Sequence, residues 1–160
     1  MKKHLLFFVL LLSIVVSACT TKCPPFTDLQ KADIEKQILE IWDKMNTGIQ
    51  KLDVDSCSQY YSSDEFIIAY IGGAIYNSAS ALIDTIKVWW SRRTNNEIQQ
   101  PTIKVTVSAA DLALLTQSCV LQMNFKDGSA RRIQDAMSVI SKKEATGWKM
   151  IHRHESYYRI

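Results

Sequence analysis

The chain has 160 residues, of which 47% are hydrophobic, and its formal net charge at pH 7 is +3. A chain of this length forms one domain with a sizeable core, but the small net charge argues against a nucleic-acid-binding protein. We therefore expect no nucleic acid among its partners. The only adjacent arginine pairs are Arg92-Arg93 and Arg131-Arg132, which we interpret as a solvated helix end and a solvated strand.

Residues 1–19 have the pattern of an export signal. Lys2 and Lys3 precede an apolar run that is too short to span a bilayer. The closing Val-Ser-Ala-Cys resembles the bacterial lipobox, which implies cleavage before Cys19 and acylation of that cysteine, palmitate included. We expect a signal peptide over residues 1–18, a lipidated tether over 19–26 and one domain over 27–160.

The lipobox resemblance also predicts where the protein resides. Acyl chains on Cys19 would attach it to a membrane on the periplasmic side of a bacterial cell envelope. Thr20, rather than an aspartate, follows the cysteine, which favours the outer membrane over the inner one.

Three cysteines remain once Cys19 is acylated: Cys23, Cys57 and Cys119. An export compartment permits one disulfide among them, and a buried free thiol is the other structural interpretation. Their spacing matches no zinc motif and no nearby histidine completes one. The sequence therefore predicts no metal site, and we expect no cofactor.

The first half of the domain is predicted to be mostly helical. Thr27 and Gln30 form a capping box, and apolar residues then recur at three- and four-residue intervals as far as Leu52. Asp53 can cap a second helix from about Val54 to Tyr61. A buried strand, a Gly-Gly hairpin and a third helix ending near two arginines complete this half.

Four long strands are predicted in the second half. Apolar and polar residues alternate from Thr102, a second run spans Leu112 to Lys126, and Asp127-Gly128 marks the turn into the third strand. The last strand runs from Trp148 to about Tyr157. Segregated helices and successive strands indicate an α+β fold with an antiparallel sheet, bent so that the helices close over its concave side.

This order resembles the nuclear transport factor 2-like superfamily, in particular its SnoaL-like and kinase-association-domain-like branch. The residues that carry the resemblance are Trp42, Leu52-Asp53, Tyr60-Tyr61, Asp64, Phe66, Gly72-Gly73, Asp111-Leu112-Ala113 and, most specifically, the ending from Gly147 to Ser156. The resemblance implies a cone of three N-terminal helices on a strongly bent antiparallel sheet that encloses a pocket, and a tendency to form homodimers. Family members often carry Arg-x-Thr where Ala136-Met137-Ser138 stands here, and Arg132 is the candidate substitute.

The candidate site residues come from the strand pattern and the resemblance. In a regular last strand, His152 and His154 share a face with Trp148 and Met150, and this face is predicted to line the pocket. Asp64 and His154 are the candidate catalytic bases, although a turn cap and a structural sheet residue are the alternatives. The full set of predicted pocket residues is Trp42, Tyr61, Asp64, Tyr76, Trp89, Arg132, His152 and His154.

Three functions are compatible with these residues. The first is a lipid-anchored pocket domain that binds a small apolar or amphipathic ligand, or a protein partner, without catalysis. The second is a cofactor-independent isomerase, dehydratase or hydrolase that uses Asp64 or His154 as its base. The third is a dimeric scaffold or assembly module, and the fold alone does not choose among them.

Overall fold

A computed structural model describes residues 26–160. Within them lie the helices α1 (Asp28–Lys51), α2 (Val54–Ser58) and α3 (Ala79–Trp90), and the strands β1 (Ile68–Ile71), β2 (Ala74–Tyr76), β3 (Arg93–Ala109), β4 (Leu112–Phe125), β5 (Ala130–Glu144) and β6 (Gly147–Arg159). The predicted signal peptide and tether, with Cys19 and Cys23, lie outside the described residues.

The helix α1 forms where the capping box predicted it. The Thr27 hydroxyl accepts from the Gln30 backbone N–H, and the Gln30 side chain accepts from the Thr27 backbone N–H. One stripe of the helix is buried against the sheet, and its members are Ile34, Ile38, Trp42, Met45 and Gly48. Leu52, in the left-handed conformation, ends the helix and turns the chain into α2. Among residues 26–160, no helix has the length and apolarity needed to cross a membrane.

The six strands form one curled, open sheet in the order β2-β1-β6-β5-β4-β3. All neighbouring pairs are antiparallel except β1 and β6, which run parallel. A register shift at Gln100-Pro101 bends β3, and the helices cover the concave face. The predicted α+β cone is therefore confirmed. The strand β3 is longer than predicted, because it begins at Arg93 instead of Thr102.

A β-bulge at Ile151 interrupts the last strand. Met150 pairs with Ser141 and His152 pairs with Ile140, so that Ile151 has no partner on β5. The bulge is held from the other side, since the Met150 backbone N–H donates to Tyr60 O at 2.7 Å and the Ile67 backbone N–H donates to Ile151 O at 2.7 Å. One extra residue reverses the alternation of side chains beyond it.

The Gly72-Gly73 turn between β1 and β2 lies against the end of β6. Both glycines have positive φ, 56° at Gly72 and 87° at Gly73. A Cβ added to Gly72 would lie 2.8 Å from two carbons of the Tyr157 ring, whereas a Cβ added to Gly73 would meet nothing within 4 Å. The missing side chain at Gly72 therefore leaves room for Tyr157.

Substituting these two glycines separates backbone strain from the contact with Tyr157. We expect Gly72→Ala to lower the free energy of unfolding by about 1–3 kcal/mol more than Gly73→Ala, because only the first forces the Tyr157 ring to move. Urea unfolding of both variants measures the difference. Equal losses would show that the turn conformation, and not the packing of Tyr157, sets the need for glycine at position 72.

Candidate functional site

A cavity of about 360 Å³ lies between the helices and the concave face of the sheet. Its apolar wall consists of Ile49, Ile71, Ile86, Leu121, Met123 and Ile133, and its aromatic lining of Trp89, Trp90, Phe125 and Tyr157. Each wall residue comes from the end of a helix or from an inward-facing position of a strand. The cavity therefore depends on the bend of the sheet, which leaves a gap where the helices end.

Four arginines also line this cavity: Arg92, Arg93, Arg131 and Arg153. The interpretation of Arg92-Arg93 as a solvated helix end is wrong for Arg93, because the helix ends at Trp90 and Arg93 opens β3 with its side chain half-buried. Burial lowers the pKa of Arg93, as does the neighbouring Arg131, while Glu155 acts to raise it. Arg132, the next residue along β5, is exposed and does not line the cavity.

A buried ion pair forms the floor of the site. The Arg153 guanidinium donates to a carboxylate oxygen of Glu155 and, at 2.8 Å, to the hydroxyl oxygen of Tyr61. Both charged side chains are only 10% exposed. Burial acts to lower the pKa of Arg153, but Glu155 and Tyr61 together act more strongly to raise it. The net pKa lies above the ordinary value, so the guanidinium stays charged. Removing either partner would leave an uncompensated buried charge.

Asp135 lies behind this pair, on the inward face of β5, and is 2% exposed. It stands opposite Cys119 on β4 and Tyr157 on β6, and one of its oxygens has no hydrogen-bond partner among the described residues. Burial raises its pKa to about 7, with a further contribution from Glu155 that Arg153 opposes. Asp135 is therefore a carboxyl group that exchanges its proton near neutral pH.

The two histidines of the last strand do not face the cavity. The regular alternation that predicted His152 and His154 as pocket residues stops at the Ile151 bulge, so Arg153 and Glu155 point inward in their place. His154 is exposed on the outer face, with its ring 5.9 Å from that of Tyr70, and His152 is half-buried beside the same tyrosine. The prediction that both imidazoles line the pocket is therefore wrong.

Of the other predicted pocket residues in the helices and their flanking segments, only Trp89 lines the cavity. The Tyr76 ring packs edge-on against that of Trp89 at 6.3 Å. Tyr61 reaches the site only through Arg153. Trp42 is a core residue whose indole N–H donates to the buried Gln117 at 2.6 Å.

Asp64, the other candidate base, does not contribute to the cavity. It is exposed in the loop before β1, where it accepts a hydrogen bond from the neighbouring Ser63 hydroxyl at 2.9 Å. The predicted alternative, a turn-capping aspartate, is not observed either, because it is the Ser62 hydroxyl that accepts from a backbone N–H of this loop, that of Glu65, at 2.8 Å. General-base chemistry at Asp64 would require burial that the structure does not provide.

Cys57 and Cys119 are both free and buried. Burial raises the pKa of each thiol to about 11, and the nearby Asp53 and Asp135 carboxylates, respectively, add to the effect. Thiols with such pKa values remain protonated at neutral pH and are weak nucleophiles. Of the two structural interpretations left open by the sequence, the free buried thiol is the one observed for these two residues.

The residues that sequence reasoning missed are Arg93, Arg131, Asp135, Arg153 and Glu155. Two sequence signals concern the four residues other than Asp135, for which there was none. The adjacent arginine pairs are unusual in a chain of nearly balanced charge, and the alternation in β6 places two charged residues on whichever face the histidines do not occupy. Neither signal reveals the bulge that decides which face is buried.

The titration of Asp135 has a measurable consequence for stability. Between about pH 4 and pH 7 the folded state retains a proton on Asp135 that the unfolded chain has released, so the contribution of Asp135 to the stability of the wild type falls as pH rises through this range. Asp135→Asn removes this dependence, and we expect its stability relative to the wild type to grow by at most about 1.4 kcal/mol per pH unit. Urea unfolding at a series of pH values measures the gap.

The matched control is Asp127→Asn. Asp127 lies in the exposed turn before β5, where hydrogen bonds from Ser129 lower its pKa. This variant should show no rise in relative stability between pH 4 and pH 7. A stability difference between Asp135→Asn and the wild type that does not change with pH would instead mean that Asp135 is ionised throughout the range, stabilised by Arg153.

The comparisons with known proteins agree with this architecture. The family model described as a SnoaL-like domain matches residues 38–159. No curated protein matches the chain. The matched region includes most of α1 and all six strands, and therefore every residue that lines the cavity.

Several solved structures share the fold. The hexachlorocyclohexane dehydrochlorinase of Novosphingobium barchaimii is 14% identical with a TM-score of 0.69, over 84% of this chain and 93% of that one. A candidate scytalone dehydratase from Novosphingobium aromaticivorans is 8% identical with a TM-score of 0.73, over 82% and 89%. A candidate dehydratase of the nuclear transport factor 2-like family from Streptomyces avermitilis is 13% identical with a TM-score of 0.69, over 81% and 98%. At these identities the likeness concerns the fold alone, and with the family match it shows that the chain belongs to the SnoaL-like domain family.

Proposed function

We propose that this chain is a ligand-binding domain whose cavity holds one small, largely apolar molecule. The observation that carries the proposal is the cavity itself, because its wall of isoleucine, leucine and methionine side chains leaves about 360 Å³ unfilled. The cavity is partly open to solvent, so it is a pocket that a molecule can enter and not a sealed void. Small-molecule sites span roughly 300–1,000 Å³, so the volume is that of a small ligand.

The walls of the cavity are held in place independently of any ligand. On the sheet side, Leu121 and Met123 belong to β4, which is hydrogen-bonded on both edges. On the helix side, Ile49 and Ile86 lie in the last turns of α1 and α3. A preformed site of this kind loses little conformational entropy on binding, which favours affinity.

A second candidate is a proton-transfer enzyme, and one observation favours it. Glu155 faces the cavity, and burial together with Glu155 raises the pKa of Asp135, which does not itself line the cavity, to about 7. General acid–base catalysis needs a group that titrates near the working pH. The dehydrochlorinase and candidate dehydratases share the fold, which is compatible with such an activity. In this candidate Glu155 and Asp135 take the role that the sequence assigned to Asp64 and His154. A bound molecule recovered unchanged from both wild type and Glu155→Gln would favour binding without catalysis.

We further propose that the domain is attached to a bacterial envelope membrane through acyl chains on Cys19. The proposal is supported by the basic start, the short apolar run and the Val-Ser-Ala-Cys ending of the signal. The residues from Thr20 to Phe26 would span only about 25 Å when extended, so the domain would lie close to the membrane surface.

Filling the cavity tests the ligand-binding proposal. Leu121→Trp adds an indole to the apolar wall and should abolish binding of octanol, a neutral apolar probe. The matched control is Val120→Trp, the preceding residue of β4, whose side chain lies on the opposite face of the sheet. Isothermal titration calorimetry of the full chain in lipid nanodiscs, with empty nanodiscs as reference, gives the affinity.

We expect Val120→Trp to bind octanol as the wild type does. Equal binding by the two variants, or no binding by the wild type, would contradict a ligand site in this cavity. The second of these results, together with a stable dimer, would favour the assembly-module candidate.

Replacing the two N-terminal cysteines separately tests the membrane attachment. Cys19→Ser should abolish acylation and move the protein out of the detergent-rich phase, because acyl chains are the proposed anchor. Cys23→Ser should leave phase partitioning unchanged. Mass spectrometry of the N-terminal peptide checks the acyl mass directly, and an unmodified Cys19 in the wild type would overturn the proposal.

A further inference from the structure

We propose that the ligand of this cavity is an amphiphile with a single short chain or ring and one anionic group, whose anion is held by Arg93 with Arg92 and Arg131 beside it. This inference rests on the proposed function, since it names the chemical class of molecule that the same cavity would bind. It arises from the charges around the cavity, which the apolar wall does not explain.

The cavity carries an excess of positive charge. Four arginines line it, together with one carboxylate, Glu155. Glu155 is engaged by Arg153 in the buried ion pair, whereas Arg92, Arg93 and Arg131 make no salt bridge with any residue from 26 to 160. The lining therefore carries three positive charges without a partner carboxylate.

Arg93 is held in a defined orientation by its neighbours. The Asn96 amide donates to Ile49 O at 2.9 Å, and its oxygen accepts from Arg93 Nη1 at 3.0 Å. The guanidinium lies 5.9 Å from the centre of the Phe125 ring. This one hydrogen bond uses a single donor of the five that a guanidinium carries, so most of the planar fork remains free for a carboxylate or a similar anion.

The positive charges of Arg93 and Arg131 repel each other. Burial lowers the pKa of Arg93 and Arg131 adds to this effect, while Glu155 opposes it, so the charged form of Arg93 is less favoured here than in water. A bound anion would relieve the repulsion between the two arginines and replace the water that burial removes. A neutral ligand would leave this cost unchanged, and a cationic ligand would increase it.

The surface next to the cavity extends the positive charge outward. Beside the cavity, the depression between the end of α3 and the β4–β5 turn is lined by Arg92 and Arg131 and also by Lys126 and Arg159. Its only carboxylate, Asp127, is hydrogen-bonded to Ser129. An anionic molecule would therefore be attracted toward the mouth of the cavity, the side lined by Arg92 and Arg131, before it enters.

The size of the cavity limits the apolar part of the ligand. At about 360 Å³ it lies near the lower end of the range for small-molecule sites. A single short chain or ring system fits this volume better than the paired acyl chains of a membrane phospholipid. The site therefore suits a free single-chain carboxylate, sulfonate or phosphate ester.

The test compares three probes with the same alkyl chain: octanoate, octanol and octyltrimethylammonium. The full chain in nanodiscs is titrated with each probe by isothermal titration calorimetry, with empty nanodiscs as reference. We expect octanoate to bind about tenfold or more tightly than octanol, and the cation to bind most weakly. Raising the salt concentration should weaken octanoate binding alone.

Arginine variants locate the anion. Arg93→Gln should weaken octanoate binding by about tenfold or more and leave octanol binding unchanged. Arg132→Gln is the matched control, because Arg132 follows Arg131 on β5 and faces outward. If Arg93→Gln does not fold, the double variant Arg92→Gln/Arg131→Gln makes the same measurement on two exposed side chains.

The outcomes distinguish the two proposals. Equal affinities for octanoate and octanol, or octanoate binding that Arg93→Gln and Arg132→Gln affect alike, would overturn the anionic ligand while leaving the ligand-binding function in place. Binding of none of the three probes would overturn the proposed function itself.

Discussion

The β-bulge at Ile151 is the local feature on which the rest of the site depends. Upstream of it, Trp148 and Met150 face the core as the alternation of the strand predicts. Downstream of it, the inward positions belong to Arg153, Glu155 and Tyr157. One unpaired residue therefore replaces a histidine-lined floor with an ion pair and an aromatic ring, and moves the imidazoles to the outer surface.

The bulge is stabilised by chain segments distant in sequence. The Tyr60–Ser62 segment hydrogen-bonds to Met150 on both sides, and the Tyr61 side chain of the same segment accepts from Arg153. The segment thus holds the bulge and also partners the charge that the bulge brings inside. A buried arginine without the Tyr61 hydroxyl and the Glu155 carboxylate would be strongly destabilising.

The site is an apolar cavity with charge concentrated at its mouth and floor. The mouth arginines come from the start of β3 and the start of β5, and the floor pair comes from β6, so the bent sheet brings together residues far apart in the chain. A fold of this kind does not by itself determine function, which depends on the residues that line its site. For this chain the charges, and not the fold, are the basis of the proposed anionic ligand.

The sequence by itself determined the features that depend on local interactions. The capping box, the helical stripe from Ile34 to Met45 and the Gly-Gly and Asp-Gly turns each involve residues close together in the chain, and their elements formed where expected. The order of elements also sufficed for the fold class, since long successive strands must pair and bend.

Only the tertiary structure decided which faces of those elements line the cavity. Strand alternation predicted two opposite faces for β6, but the choice between them rests on a bulge held by hydrogen bonds from residues 60–67. The role of Arg93 likewise depends on Asn96, which is oriented by the carbonyl of Ile49 nearly fifty residues away. Such contacts leave no periodic trace in the sequence, because they form between segments whose separation in the chain is set by the fold and not by the local pattern.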